Sequence, residues 1–238
     1  MRKLIQIFVL IGLTFVASNA YAIPDLQLNI PGGKYVYDFN GDGSIGGPFD
    51  EGIVTNASNF DIQALLKHGI DANIGSQTYY ISTALLNKDG SAADITSIIP
   101  GISINGTPIS AASWIYGTPT DLPEHGVFPT YYYPLTFNYS TGEFVADGIF
   151  NVADASEGTA DGYIRSFNVN IDSIGADQAL VFDLYAYETN PSGKQKIIFA
   201  PFSHNASYNH TPEPASLTLL GLGLLGIWKF GKKKDKKI

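Results

Sequence analysis

The chain divides into three hydrophobic regimes. Residues 4–17 form a largely apolar run behind Arg2 and Lys3, residues 215–228 form a second run ahead of a lysine-rich end, and the long stretch between them alternates. Alternation of period two marks a strand with one buried face. Phe60, Ile62, Ala64 and Leu66 alternate with Asp61, Gln63, Leu65 and Lys67. Tyr163, Phe167, Val169 and Ile171 share one side of residues 163–171, and Leu180, Phe182, Leu184 and Ala186 stand opposite Asp183, Tyr185 and Tyr187. Strands are predicted at all three places. Residues 180–188 and 196–202 flank Thr189-Asn190-Pro191-Ser192-Gly193, which predicts a hairpin. Further breakers stand at Pro31-Gly32-Gly33, Gly46-Gly47-Pro48, Asn105-Gly106, Thr118-Pro119 and Pro123. Many short strands without a βαβ rhythm or an internal repeat predict an all-β domain, an antiparallel β-sandwich of immunoglobulin-like or jelly-roll-like kind.

The two apolar runs read as addresses. Met1-Arg2-Lys3, the run at 4–17 and Ser18-Asn19-Ala20-Tyr21-Ala22 make the charged, apolar and A-x-A segments of a signal peptide, so residues 1–22 are expected to form a signal helix cut after Ala22. At the other end, Thr211-Pro212-Glu213-Pro214 precedes the second run. Pro214 suits a helix start, and the preceding residues are denied a helix. The 14 residues of the run span about 21 Å, short of a hydrocarbon layer of roughly 30 Å. Extending to Gly231, with Lys229 snorkelling, brings the span to about the lower limit of roughly 17 residues. A short transmembrane helix is expected, with Trp228 at the interface and Lys232, Lys233, Lys234, Lys236 and Lys237 on the cytoplasmic side. The predicted organisation is a signal peptide at 1–22, a β-sandwich ectodomain at 23–207, and a linker, helix and basic tail at 208–238.

Charge sharpens this picture. The whole chain is −8, but residues 23–214 hold six basic residues (Lys34, Lys67, Lys88, Arg165, Lys194 and Lys196) against 21 acidic ones, a formal −15. Such a surface repels nucleic acid and anionic lipid and attracts divalent cations. Cysteine is absent, which excludes thiolate catalysis, cysteine-ligated zinc and iron–sulfur chemistry. An exported domain without disulfides stands on its core alone, and 45% hydrophobic residues are enough for one.

Pro212-Glu213-Pro214, a short apolar helix and a basic end, in that order, resemble the PEP-CTERM sorting signal over about the last 28 residues. The resemblance implies an exosortase as processing partner, a transient inner-membrane anchor through the C-terminal helix, and delivery to the cell envelope, outer surface or extracellular matrix. It also implies association with exopolysaccharide and biofilm. Three further segments, Ala22-Ile23-Pro24-Asp25-Leu26-Gln27-Leu28, Leu122-Pro123-Glu124-His125-Gly126-Val127-Phe128-Pro129 and Phe199-Ala200-Pro201-Phe202-Ser203-His204-Asn205-Ala206, resemble the choice-of-anchor N family of secreted proteins. That family brings a layout and no activity.

Chemistry is sparse. Asp38-Phe39-Asn40-Gly41-Asp42-Gly43-Ser44-Ile45 follows the opening of a calcium loop, with oxygen ligands at Asp38, Asn40 and Asp42 and a glycine for the sharp turn. Position 12 is Phe49, and Asp50 and Glu51, which follow immediately, could close an altered loop around a structural calcium; the same residues also read as plain Asn-Gly and Asp-Gly turns. His68, His125, His204 and His210 show no metal spacing, and no Gly-x-Ser-x-Gly elbow or phosphate-binding glycine loop is present. Residues 108–139 interleave five prolines (Pro108, Pro119, Pro123, Pro129 and Pro134) with Trp114, Tyr116, Phe128, Tyr131, Tyr132, Tyr133, Phe137 and Tyr139. Prolines point to loops and edges, and the aromatics either pack beneath them or form an exposed platform for sugar. The expected function is therefore a non-enzymatic surface or matrix protein with structural, adhesive or exopolysaccharide-associated work. The alternatives are a secreted carbohydrate-active hydrolase and a sugar-binding module. No catalytic residue and no nucleic-acid partner is expected.

Overall fold

The computed structural model describes residues 23–36, 52–69, 74–89, 91–95, 101–119, 128–189, 195–201 and 205–209. These residues build two sheets and, among them, no α-helix. The first sheet holds β1 (Leu26–Asn29), β4 (Asn59–Lys67), β11 (Thr159–Ser173), β6 (Gly101–Ile104) and β7 (Thr107–Pro108) in that order, with β10 (Phe144–Phe150) also pairing β11. The second holds β2 (Lys34–Val36), β3 (Gly52–Thr55), β14 (Ala206–Asn209), β12 (Gln178–Thr189), β5 (Tyr79–Asn87), β9 (Thr130–Phe137) and β8 (Ile115–Gly117), with β13 (Gln195–Phe199) also pairing β12.

The alternation read from the sequence becomes the shared core. Phe60, Ile62, Ala64 and Leu66 of β4 and Phe167, Val169 and Ile171 of β11 are buried, and they face Leu180, Phe182, Leu184 and Ala186 of β12. Rings meet across the gap. Phe60 lies edge-on to Phe182 at 6.2 Å and stacks on Tyr208 at 5.9 Å, while Phe137 meets Phe167 at 5.0 Å. Two sheets closing inner face to inner face give the sandwich-like layering that the alternation predicts.

The predicted hairpin is present, with β12 and β13 paired from Tyr185↔Phe199 to Thr189↔Gln195. Asn105 and Gly106 join β6 to β7 with φ of 50° and 74°. Both values are positive, as a two-residue hairpin turn requires, and an Asn-Gly pair adopts them at least cost. Gly162 of β11 is a second obligatory glycine: a Cβ there would collide with the Leu66 carbonyl and the Ile149 side chain.

One expectation is corrected. The sheets are not antiparallel throughout, because β14 runs parallel to β3 from Ala206↔Ile53 to Tyr208↔Thr55. The last described strand is inserted between β3 and β12, and its direction is set by β12, to which it is antiparallel. Within the proline-rich stretch, residues 130–137 form β9 against β5. Pro134 is tolerated there because β8 pairs only with Thr130 to Tyr132, which leaves β9 beyond that point an edge among the described residues.

No helix among the described residues is long and apolar enough to cross a membrane. The expected signal helix at 1–22 and transmembrane run at 215–231 lie outside the described residues.

Candidate functional site

Pro212, Glu213 and Pro214 lie outside the described residues, as do Asp38, Asn40, Asp42 and Asp50. His125, His204 and His210 do as well, whereas His68 packs edge-on against Phe144 at 5.8 Å. Among the described residues, no group of three or more His, Asp or Glu side chains comes together as a metal cluster.

The described residues nonetheless fix the point at which the chain leaves the domain. β14 stops at Asn209, held between β3 and β12 by the pairs Tyr208↔Thr55 and Ala179↔Asn209. Around that exit lie the turn at 55–58, the corner at 173–178 that carries the chain from β11 to β12, and the turn at 88–91. The corner is fixed by Gly175 N–H donating to Gln178 Oε1 at 2.8 Å, and the neighbouring turn by Lys88 N–H donating to the Asp177 carbonyl at 2.8 Å. A cleft of about 340 Å³ opens here, lined by Ser58, Ile171, Asp172, Ser173, Ile174 and Tyr208. Its acidic group, Asp172, is exposed and accepts a hydrogen bond from Asn170 Nδ2 at 2.8 Å. Tyr208 is buried on the Phe60 ring, and desolvation raises its phenol pKa above the usual value.

A second polar feature crosses the outer face of the larger sheet. Ser82 and Asp183 are cross-strand partners, and Asn205 donates its side-chain amide to Asp183 Oδ1 at 2.6 Å. All three are buried, Asp183 to 1% exposure. The sequence places Asp183 on the non-core side of β12, where solvent is the ordinary expectation. Beside it, however, Val181, Ala179, Ala84 and Leu86 form a small apolar cluster with Phe128 packed on it, so this face is covered too. The apolar character of Val181 and Ala179 is the available signal, because a strand buried on both faces loses clean alternation.

The aromatic stretch divides in the structure. Trp114, Phe137 and Tyr139 are buried, Tyr131, Tyr132 and Tyr133 are half-buried, and Tyr116 stands 59% exposed against Tyr131 at 5.0 Å. Packing claims most of these rings. The carboxylates held below their usual range serve turns: the hydroxyl of Ser91, then its backbone N–H, lowers Asp89, and Ser156 does the same for Asp154.

With that geometry in place, comparison with known proteins adds one positive finding. The family model for the PEP-CTERM protein-sorting motif matches residues 210–234, beginning at the residue after Asn209. No curated protein and no solved structure matches the chain. The chain thus carries the sorting signal of an exported protein that exosortase processes. The match does not reach the ectodomain, and the choice-of-anchor N resemblance gains no support from it.

Proposed function

We propose that this protein is a non-enzymatic component of the cell surface or extracellular matrix, displayed after exosortase processing and doing structural, adhesive or exopolysaccharide-associated work. One observation carries the reading: the sorting motif at 210–234 directly follows a folded acidic β domain. The domain is what remains to be displayed once the tail is processed, and an immunoglobulin-like or jelly-roll-like sandwich suits such display. Its −15 charge between residues 23 and 214 favours neutral or cationic partners over anionic ones. A structural calcium bound by Asp38, Asn40, Asp42 and Asp50 belongs to the same proposal, bracing a chain that has no disulfides.

Processing is tested by changing Glu213→Ala, or by deleting residues 232–238, and measuring the intact mass of the envelope and released forms. The expected outcome is a folded ectodomain that accumulates as precursor. A wild-type product still ending at Ile238 in its final location would refute the reading.

A second reading, a sugar-binding module, is favoured by the exposed Tyr116 with Ile115 beside it, since an aromatic ring left in water suits the apolar face of a pyranose. Loss of retention on an insoluble neutral glycan after Tyr116→Ala is its test.

A further inference from the structure

The distance between the domain and its sorting motif is short enough to decide what the processing enzyme meets. Tyr208 is held between β3 and β12, and Asn209 still pairs with Ala179 of β12; Glu213 follows four residues later, so it lies no more than about 14 Å from the strand end even when fully extended. A protein that recognises a target specifically covers about 800 Å² on each partner, a patch roughly 16 Å in radius. An enzyme centred on Glu213 therefore overlaps the end of the domain. The surface at that end is the turn at 55–58, the corner at 173–178, and the cleft between them that Tyr208 lines.

We infer that this tail-side end is a docking seat for the processing enzyme, which inserts a lysine- or arginine-bearing loop into the cleft beside Tyr208. The inference rests on the exosortase reading above. The chemistry of the cleft matches that occupant. Half-buried Ile174 offers apolar contact to an aliphatic stem, whereas Ile171 and Tyr208 are themselves buried, and Asp172, with Asp177 exposed nearby, offers negative charge to the head group. Ser58 and Ser173 add neutral hydrogen-bonding groups at the rim. Lys88 is half-buried at the same end, and the exposed acids Asp89, Asp172 and Asp177 outnumber it. This balance disfavours an anionic lipid surface as the occupant.

The test uses the full chain in a strain that carries the processing enzyme, with cleavage followed by pulse-chase and intact mass. One variant reverses charge at the seat with Asp172→Lys and Asp177→Lys, a milder one carries Asp172→Ala and Asp177→Ala, and each is also made with ten Gly and Ser residues inserted after Asn209. Melting temperatures report which variants fold, and the alanine pair decides the matter should the lysine pair unfold. Reversal is expected to slow cleavage about tenfold, because it sets like charges against each other at the interface, and to lose that effect once the insertion separates motif from domain. Unchanged cleavage in the reversed chain would overturn the seat, as would an equal slowing with and without the insertion. Faster cleavage after reversal would point to anionic lipid in place of the enzyme and would also overturn it. A wild-type chain left uncut refutes the exosortase reading itself, whereas a cut wild-type chain indifferent to reversal refutes the seat alone.

Discussion

Arg165 is the sole arginine between residues 23 and 214, and replacing it with methionine tests how the end of the domain opposite the tail is held together. Its guanidinium stands over the rings of Phe137 at 5.9 Å and Phe167 at 5.6 Å. It donates to the Asn138 carbonyl at 2.7 Å and lies 3.4 Å from Glu143. Glu143 in turn closes a capping box with Ser140. One side chain of β11 thus ties down the turn between β9 and β10. Each cation–π contact at such a half-exposed site contributes about 0.5–1 kcal/mol. The charge-assisted hydrogen bond adds about 1.5 kcal/mol, at the low end because the carbonyl regains water when it is lost. The surface ion pair adds less than about 1 kcal/mol. Arg165→Met keeps the aliphatic stem and loses all three, so a destabilisation of about 2.5–4.5 kcal/mol is expected. Arg165→Lys keeps the charge but not the planar fork and should cost roughly half of that. Glu143→Gln, which still accepts from Ser140, should cost under about 1 kcal/mol. Urea unfolding followed by intrinsic fluorescence gives these values as midpoint shifts at constant slope. An Arg165→Met shift below about 0.5 kcal/mol, or a Glu143→Gln shift as large as that of Arg165→Met, would refute the reasoning.

Tyr139 is fully buried, and its phenol pKa is raised well above the usual value, first by desolvation and then by neighbouring Tyr79 and Glu143. The folded state therefore keeps a proton that the unfolded chain releases near pH 10, so stability is lost as pH rises above about 10. Because the hydroxyl has no hydrogen-bond partner among the described residues, Tyr139→Phe should be neutral or stabilising at pH 7 and should flatten that alkaline loss; equal alkaline slopes in urea titrations of the two proteins would count against it. Phe60→Ala and Phe182→Ala should each cost about 3–5 kcal/mol, and a double-mutant cycle should return a coupling of about 0.5–1.5 kcal/mol for their edge contact. Zero coupling would mean that the two sheets do not meet at these rings. For calcium, a chelator should lower the melting temperature and added metal should restore it, with Asp38→Ala and Asp42→Ala abolishing the response; a melting curve indifferent to chelator removes the metal.

Local periodicity carried the strands whose one face meets the core. The stretches expected at 60–67, 163–171 and 180–188 appear as Asn59–Lys67, Thr159–Ser173 and Gln178–Thr189, because alternation is a property of neighbouring residues. The parallel pairing of β3 with β14 was illegible, since nothing in Ile53 or Ala206 records a partner some 150 residues away. Asp183 shows the same limit at a single residue. Its side of the strand was legible, but the buried amide that pairs with it, Asn205, comes from a different stretch of the chain. The cleft was hidden for a related reason. Ser58, Asp172 and Tyr208 come from three separate stretches and meet only where the two sheets end. By contrast, the sorting tail was legible outright, because its meaning lies in order and composition along a contiguous segment.

The strand order has a consequence for export. Residues 206–209 fill the slot between β3 and β12, so the β2–β3 pair has no described link to the rest of its sheet until that last segment arrives. A polypeptide threading outward from its amino end therefore leaves the larger sheet in two pieces for most of its passage. Closure waits until residue 209 has emerged, a few residues ahead of the sorting motif. Molecules interrupted upstream lack the segment that joins the halves, and only a chain delivered almost to its end presents both a finished domain and the means to be sorted.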